Sequence, residues 1–355
     1  MVDASLVLQY VANGIVFGGI LSLAAIGLSL VYGILSLSNF AHGEFLTFGA
    51  FFAFLFAVRA PGSALPFALV LASVVVVAVI LDRWRWRRLR RPEVATLLVA
   101  AATVAASGVF LGAVRPAGAT TNLVLLACTV LAVAATVLLT VGLDLAVWRP
   151  LRRKRATILS LVIVSIGVAL VIRNSLQIGF GTGNRSFARP AVVAEPFLGV
   201  RMLPEQQFTI VAAAVLAVLV HLFLRHTRYG RAMRALADDR DLARVSGVDV
   251  DRALVYVWAL AGALAAVAGI LLTLVSNNTM NVQMGVNIIL ALFAAVILGG
   301  IGSPYGAIAG GLVVGVAMKT SPLWIGSRYE FAAALIILIL VLLVRPQGIF
   351  GGRAT

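Results

Sequence analysis

Residues 6–35 run without a single charged side chain, and a helix needs only about 20 apolar residues to cross a bilayer core. The run far exceeds a signal-peptide core, and the preceding Met-Val-Asp-Ala-Ser carries no positive charge, so it reads as a retained span. Its length also leaves room for a bend. Further apolar segments follow at about 40–58, 65–81, 94–114, 123–147, 158–178, 207–224, 253–275, 286–300, 305–319 and 330–344. Those at 286–300 and 305–319 are short and glycine-broken, which fits half-helices as well as full spans. Only 12% of residues are charged and 62% are apolar, whereas a soluble domain carries about a quarter charged residues. No stretch is left for a large soluble core. The expectation is an all-α, polytopic integral membrane protein of about nine to eleven transmembrane helices, with residues 1–355 forming one membrane domain.

Charge then gives sidedness. The chain has 28 Lys+Arg against 13 Asp+Glu, a balance that in a soluble protein suggests nucleic acid. Here the basic residues sit in short runs between spans, so the bilayer, not nucleic acid, is the partner they imply. Arg83, Arg85, Arg87, Arg88, Arg90 and Arg91 form one cluster, and Arg149, Arg152, Arg153, Lys154 and Arg155 another. The arginines of 225–252 form the third. Strict alternation of the spans puts all three clusters and the C-terminal tail on one side. Scattered Arg59, Arg115, Arg185, Arg189, Arg201, Lys319 and Arg328 remain on the other. The crowded side is cytoplasmic by the positive-inside rule, with the N-terminus outside and the C-terminus inside. Cys128 is the lone cysteine and there are three histidines, which excludes a disulfide framework and a Cys/His metal site.

Two polar segments exceed a tight turn. Residues 179–206, rich in Gly and Pro, read as an ordered external loop. Residues 225–252 are cytoplasmic and different in kind. From Arg231 to Ser246 there is no Pro or Gly, and Ala, Leu, Met and Arg favour one helix. Gly247 suits its C-terminal end, and Asp249 or Asp251 the cap of the next span. Ala232, Met233, Leu236 and Ala243 make a small apolar stripe ringed by charges of both signs. A helix lying on anionic lipid is one reading, but the many acidic residues make a poor lipid face. A docking helix is the preferred reading, because small residues allow close approach and mixed charges fix register. The docking segment comprises Tyr229, Gly230, Arg231, Arg234, Ala235, Leu236, Asp238, Asp239, Ala243 and Gly247.

The Ala-Leu-Ala-Asp-Asp…Ala…Gly-Val pattern of this segment resembles the cytoplasmic coupling loop of ABC-importer permeases. The wider chain resembles the branched-chain amino-acid (LIV-type) permease subunit. The resemblance rests on Gly27-Leu-Ser-Leu-Val-Tyr-Gly33, Asn39-Phe-Ala-His-Gly-Glu44, Trp148-Arg-Pro-Leu151, Arg228-Tyr-Gly-Arg-Ala232, Ala295-Val-Ile-Leu-Gly-Gly-Ile-Gly-Ser303 and Leu343-Val-Arg-Pro-Gln-Gly348. It covers about 6–58 and 123–350. Residues 60–115 have no counterpart in the pattern and read as an extra, peripheral two-helix insertion. The coupling segment also lacks the Glu-Ala-Ala start and Leu-Pro end of many importers.

The resemblance implies a subunit of the bacterial inner (plasma) membrane that works with two ATP-binding subunits, a second related permease subunit (or a second copy of itself) and an extracytoplasmic solute-binding protein. Its implied cargo is a branched-chain or other hydrophobic amino acid, with urea, short amides or related small solutes as the alternative. No cofactor is expected on this chain, since ATP and Mg belong to the partner ATPases. A P-loop needs Gly-Lys before Ser or Thr, and neither Lys154 nor Lys319 follows a glycine. An ion-coupled carrier is the competing class, and it usually holds acidic residues in mid-span. Glu44 alone lies clearly within a span, with Asp144 and Glu330 near span ends. No catalytic residues are expected, because His42 and Glu44 diverge on a helix and have no third partner.

The candidate pathway residues are Tyr32, Asn39, His42, Glu44, Asn287 and Ser303. Asn39, His42 and Glu44 begin the second span near the cytoplasmic face. There Asn39 reads as a cap and Glu44 as a complement to the helix dipole, or the three as a polar gate. The glycines from Gly299 to Gly315 recur at four-residue spacing, which fits close helix packing or a broken helix that exposes backbone to substrate. Arg173, near the outer end of its span, reads as a snorkelling side chain.

Overall fold

The structure, a computed structural model, describes residues 4–57, 122–187, 193–197, 199–345 and 347–350. The expected insertion at 60–115 lies outside the described residues. Seven described helices are long and apolar enough to cross a membrane, and two more are apolar but shorter. The chain is a multi-pass, all-α membrane protein.

The opening run forms one unbroken helix, α1 (Ala4–Leu35). It is apolar on every side, as a helix surrounded by protein must be, and from Val16 to Val31 it is almost wholly buried. The other elements follow as α2 (His42–Ala57), α3 (Asn122–Leu143), a π-helical turn (Asp144–Trp148), α4 (Arg149–Arg153), α5 (Ile158–Phe180), β1 (Arg185–Ser186), β2 (Glu195–Phe197) and β3 (Val200–Met202). Then come α6 (Pro204–His226), α7 (Arg228–Asp238), α8 (Arg240–Val245), α9 (Val250–Val275), β4 (Thr279–Met280), α10 (Met284–Gly299), α11 (Pro304–Thr320), α12 (Pro322–Ile325) and α13 (Glu330–Val344). The core is α1, α2, α9, α10 and α11, while α5, α6 and α13 leave most of their surface exposed.

Small residues set the spacing in this core. α11 runs antiparallel along α1, with Gly315 on Gly18, Gly311 on Ser22 and Gly302 on Gly33. A Cβ at Gly33 would come within 2.5 Å of the Gly302 Cα, so bulk there must push the helices apart. The Gly299–Gly315 run therefore packs helices closely, in the GxxxG manner. Ser303 caps α11 by accepting from the Gly306 amide at 3.1 Å.

The bundle has two distinct ends. At one, Arg149 and Arg153 pair with Asp251 at the start of α9, and α7 and α8 fold beneath. The tail returns there too, with Ile349 and Phe350 amides donating to the Leu298 and Gly299 carbonyls at 2.8 and 3.0 Å. At the other end β1 pairs with β4 and β2 with β3. Gln9 of α1 is stitched to this end by two bonds to the Arg201 backbone, at 2.9 and 3.0 Å. The described parts of the 179–206 segment are thus fastened to the bundle at the end opposite Arg149, Arg153 and the 225–252 segment.

Candidate functional site

Between α1 and α2 the chain is irregular from Ser36 to Ala41, and beyond the exposed Ser36 this segment is buried or half-buried. Leu37, Asn39 and Ala41 are buried. Non-helical backbone at membrane depth is tolerated only where protein satisfies it, and Ser165 of α5 does so. Its hydroxyl accepts from the Phe40 amide at 3.2 Å and lies 3.3 Å from the Ser38 carbonyl. Asn39 Oδ1 accepts from the Ala41 amide at 3.1 Å, a local turn bond that prepares the helix start.

As a result α2 begins within the bundle, which corrects the expectation that Asn39, His42 and Glu44 lie near a membrane face. His42 donates from Nε2 to the Ala24 carbonyl at 3.0 Å. Ala24 lies roughly 16 Å along α1 from the Leu35 end at about 1.5 Å per residue. Gly43 packs against Gly285 in the first turn of α10, where a Cβ would strike the Gly285 carbonyl. Leu46 and Gly49 pack on Gly269 and Ala266 of α9. The three polar residues are 0%, 0% and 1% exposed.

Glu44 faces α5. Its Oε1 accepts from Arg173 Nε at 3.1 Å and Nη2 at 2.8 Å. Arg173 therefore does not snorkel. It stands seven residues, roughly 10 Å at about 1.5 Å per residue, from the Phe180 end of α5, and it turns to a buried carboxylate instead of extending past that end. Sequence reasoning missed the pair, although the signal was present: a lone acid and a lone arginine within spans, neither of which can face lipid cheaply. The second carboxylate oxygen, Oε2, is buried and has no hydrogen-bond partner. The same is true of Asn39 Nδ2 and His42 Nδ1.

The other pathway candidates do not join this cluster. Tyr32 is half-buried on the last turn of α1, and Ser303 sits in the α10–α11 turn as a cap. Asn287 is exposed on the first turns of α10, on the face turned away from α2. Among the described residues no three His, Cys, Asp or Glu side chains gather as a metal site.

The 225–252 segment departs from expectation in two ways. It is two helices, not one, because the Asp239 backbone is extended (φ −152°, ψ 115°) and its carboxylate caps α8, accepting from Asp241 and Leu242 amides at 2.8 and 2.9 Å. A side-chain oxygen that competes for backbone amides favours such caps over helix interiors, and no Pro or Gly is needed. Secondly, the apolar stripe faces the bundle. Met233, Leu236 and Ala243 are buried within the chain, as is Gly230, which sits in the first turn of α7 against Leu224. Gly230, Leu236 and Ala243 therefore hold the segment in place and are not a free docking face. Arg240 is half-buried. Burial, with Arg152 and Arg244 close by, pushes its guanidinium below the ordinary arginine value.

The outward side of the segment carries Tyr229, Arg231, Arg234, Asp238, Asp239, Asp241, Leu242, Arg244, Val245 and Gly247. Leu242 and Val245 are 64% and 86% exposed, bare apolar positions on a helix otherwise rimmed with charge. Gly247 has φ +85° and closes α8, its amide donating to the Arg244 carbonyl. Asp249 caps α9 through the Arg252 amide at 3.1 Å.

Comparisons with known proteins point the same way. The family described as "Branched-chain amino acid transport system / permease component" matches residues 10–120 and 95–344. The chain is 30% identical over 353 residues to the high-affinity branched-chain amino acid transport system permease protein LivH of Salmonella typhimurium, covering 97% of this chain and 95% of that protein. It is 29% identical to LivH of Escherichia coli K12 and 27% identical to BraD of Pseudomonas aeruginosa, at the same coverage. No solved structure matches the chain. With nearly the whole chain aligned and the multi-pass bundle in place, this protein belongs to the family of branched-chain amino acid transport system permease components.

Proposed function

We propose that this chain is the membrane-spanning permease subunit of an ABC importer that moves branched-chain amino acids. It works with two ATP-binding subunits, a second permease subunit and an extracytoplasmic binding protein. Its basic end faces the cytoplasm and its β-paired end faces the binding protein, in line with the positive-inside rule. ATP and Mg are handled by the ATPase partners, as the sequence has no P-loop.

The observation that carries the reading beyond family membership is the outward rim of α7–α8. Exposed Leu242 and Val245 stand among charges of both signs, the arrangement of a small apolar contact with a polar, register-setting edge. The inward face links this rim to the transmembrane core. Met233 and Leu236 are buried in the common core, and Tyr229, exposed at the edge of the rim, packs one side of its ring on Tyr256 of α9 with centroids 3.8 Å apart. α9 in turn packs on α1 and α2. A push on α7–α8 by the closing ATPase pair is thereby delivered to the helices around Glu44, where the translocation path runs past the start of α2.

The test is a double substitution, Leu242→Asp with Val245→Asp, which leaves the buried face intact. Each lost apolar contact is worth roughly 1.5–3 kcal/mol if fully buried by the partner. The expected result is normal membrane insertion with ATP hydrolysis, stimulated by loaded binding protein, reduced by about tenfold or more. Normal stimulation and normal recovery of the ATPase subunits with the variant would overturn the assignment of this rim.

A further inference from the structure

We infer that Glu44 and Arg173 are the charges that receive the two ends of a zwitterionic amino acid, the α-ammonium at Glu44 Oε2 and the α-carboxylate at Arg173. The inference rests on the importer reading and deepens it. A guanidinium carries donors enough to engage both oxygens of a carboxylate, fork to fork. Here both guanidinium contacts converge on Oε1, and Oε2 is left buried without a partner. An unused acceptor on a carboxylate 1% exposed is a place prepared for a donor. An ammonium group supplies one.

Arg173 is the open side of the pair. Its side chain retains 18% exposure, and Asn174 beside it is exposed. Among the described residues α5 packs chiefly on α2, and the guanidinium keeps its residual exposure beside that contact. His42 takes no part, because two residues away on the helix its ring is turned to α1 and bonded to Ala24.

Charge balance explains why the occupant is a zwitterion. Separating the pair exposes one negative and one positive group in a low-dielectric setting, where an unpaired charge is strongly disfavoured. A zwitterion brings one charge of each sign and re-pairs both at once. A solute with only an ammonium or only a carboxylate leaves one protein charge unmatched. The pair thus admits amino acids and rejects amines and simple acids of the same side chain, whatever the side chain is. It acts as a filter on the backbone end of the substrate.

The test uses the assembled importer in proteoliposomes with radiolabelled leucine. The double variant Glu44→Gln with Arg173→Gln removes both charges together and leaves no unpaired one. The expected result is an intact complex whose ATP hydrolysis is still stimulated by leucine-loaded binding protein, with leucine uptake down by about tenfold or more. Uptake within about twofold of the parent makes the pair a helix fastener only and overturns the inference. Arg173→Lys is the second variant, keeping the charge and losing the planar fork. It is expected to transport several-fold less leucine per ATP hydrolysed, and an unchanged ratio also overturns the inference. Failure of both variants to assemble assigns the pair to folding and overturns it as well. Absence of ATP-driven leucine uptake by the parent complex is a different result, which sinks the importer reading and the inference with it.

Discussion

Asp144 and Glu44 are both 1% exposed and both paired with an arginine, yet their surroundings differ. Asp144 meets Arg152 at 2.6 Å, eight residues away along one continuous helical stretch. It lies at the basic end, where Arg149 and Arg153 hold Asp251 close by. Glu44 meets Arg173 across 129 positions of sequence, with no other described charge in contact and one oxygen unused. The first pair belongs to a rim of charges that fastens the α3–α4 junction to α9. The second is a single, isolated couple in the depth of the bundle. Equal burial therefore does not mean equal surroundings: neighbours and spare valence set the two pairs apart.

Substitutions that remove one partner give the sharpest contrast. Glu44→Ala leaves Arg173 facing a cavity with no counter-charge, and is expected to cost roughly 3–5 kcal/mol. It should appear as a large fall in thermal midpoint of the detergent-purified subunit together with loss of uptake. A thermal midpoint equal to the parent's breaks the comparison, because Glu44 would then not be carrying a buried charge.

Asp144→Asn is expected to be milder, about 1–3 kcal/mol, because the amide still accepts from Arg152 and water is near at the basic end. Thermal unfolding measured beside Glu44→Ala decides the order. If Asp144→Asn is the more damaging, the rim pair is the critical one and the contrast is reversed.

The smallest effect is expected from Arg153→Ala. Its bond to Asp251 is 3.4 Å long and joins groups 56% and 46% exposed, and exposed pairs contribute about 0–1 kcal/mol. Unfolding midpoint and uptake should both stay close to the parent's. A marked loss of stimulated ATP hydrolysis with unchanged stability would instead place Arg153 at the contact with a partner subunit.

Much of this architecture is legible in the residues taken in order. The uninterrupted 6–35 run is α1, and the spans read at 158–178, 207–224, 253–275 and 330–344 are α5, α6, α9 and α13. The glycine run is close helix packing, since four-residue spacing of small side chains has that consequence on any helix. The 225–252 segment is legible as a polar helical stretch, and most of its charged residues face outward, but the small apolar stripe read as part of a docking face is turned into the bundle. Its small apolar stripe suits a partner as well as its own bundle, and only packing distinguishes the two. The break at Asp239 is equally hidden, because a capping carboxylate stops a helix without any change in composition.

What the sequence alone determined is the class of molecule, the identity of its spans, the clustering of its basic residues and its family, since hydropathy and charge add up locally and need no knowledge of contacts. Only the tertiary structure decided that α2 starts in mid-bundle, that Glu44 finds Arg173, and that Leu242 and Val245 are the bare positions of α7–α8. Each of these depends on which distant helices approach, and that approach is set by glycine contacts such as Gly43 on Gly285 and Gly33 on Gly302. Inside a membrane a polar group must find its partner within the protein, so the partner is chosen by packing across the fold and not by proximity along the chain.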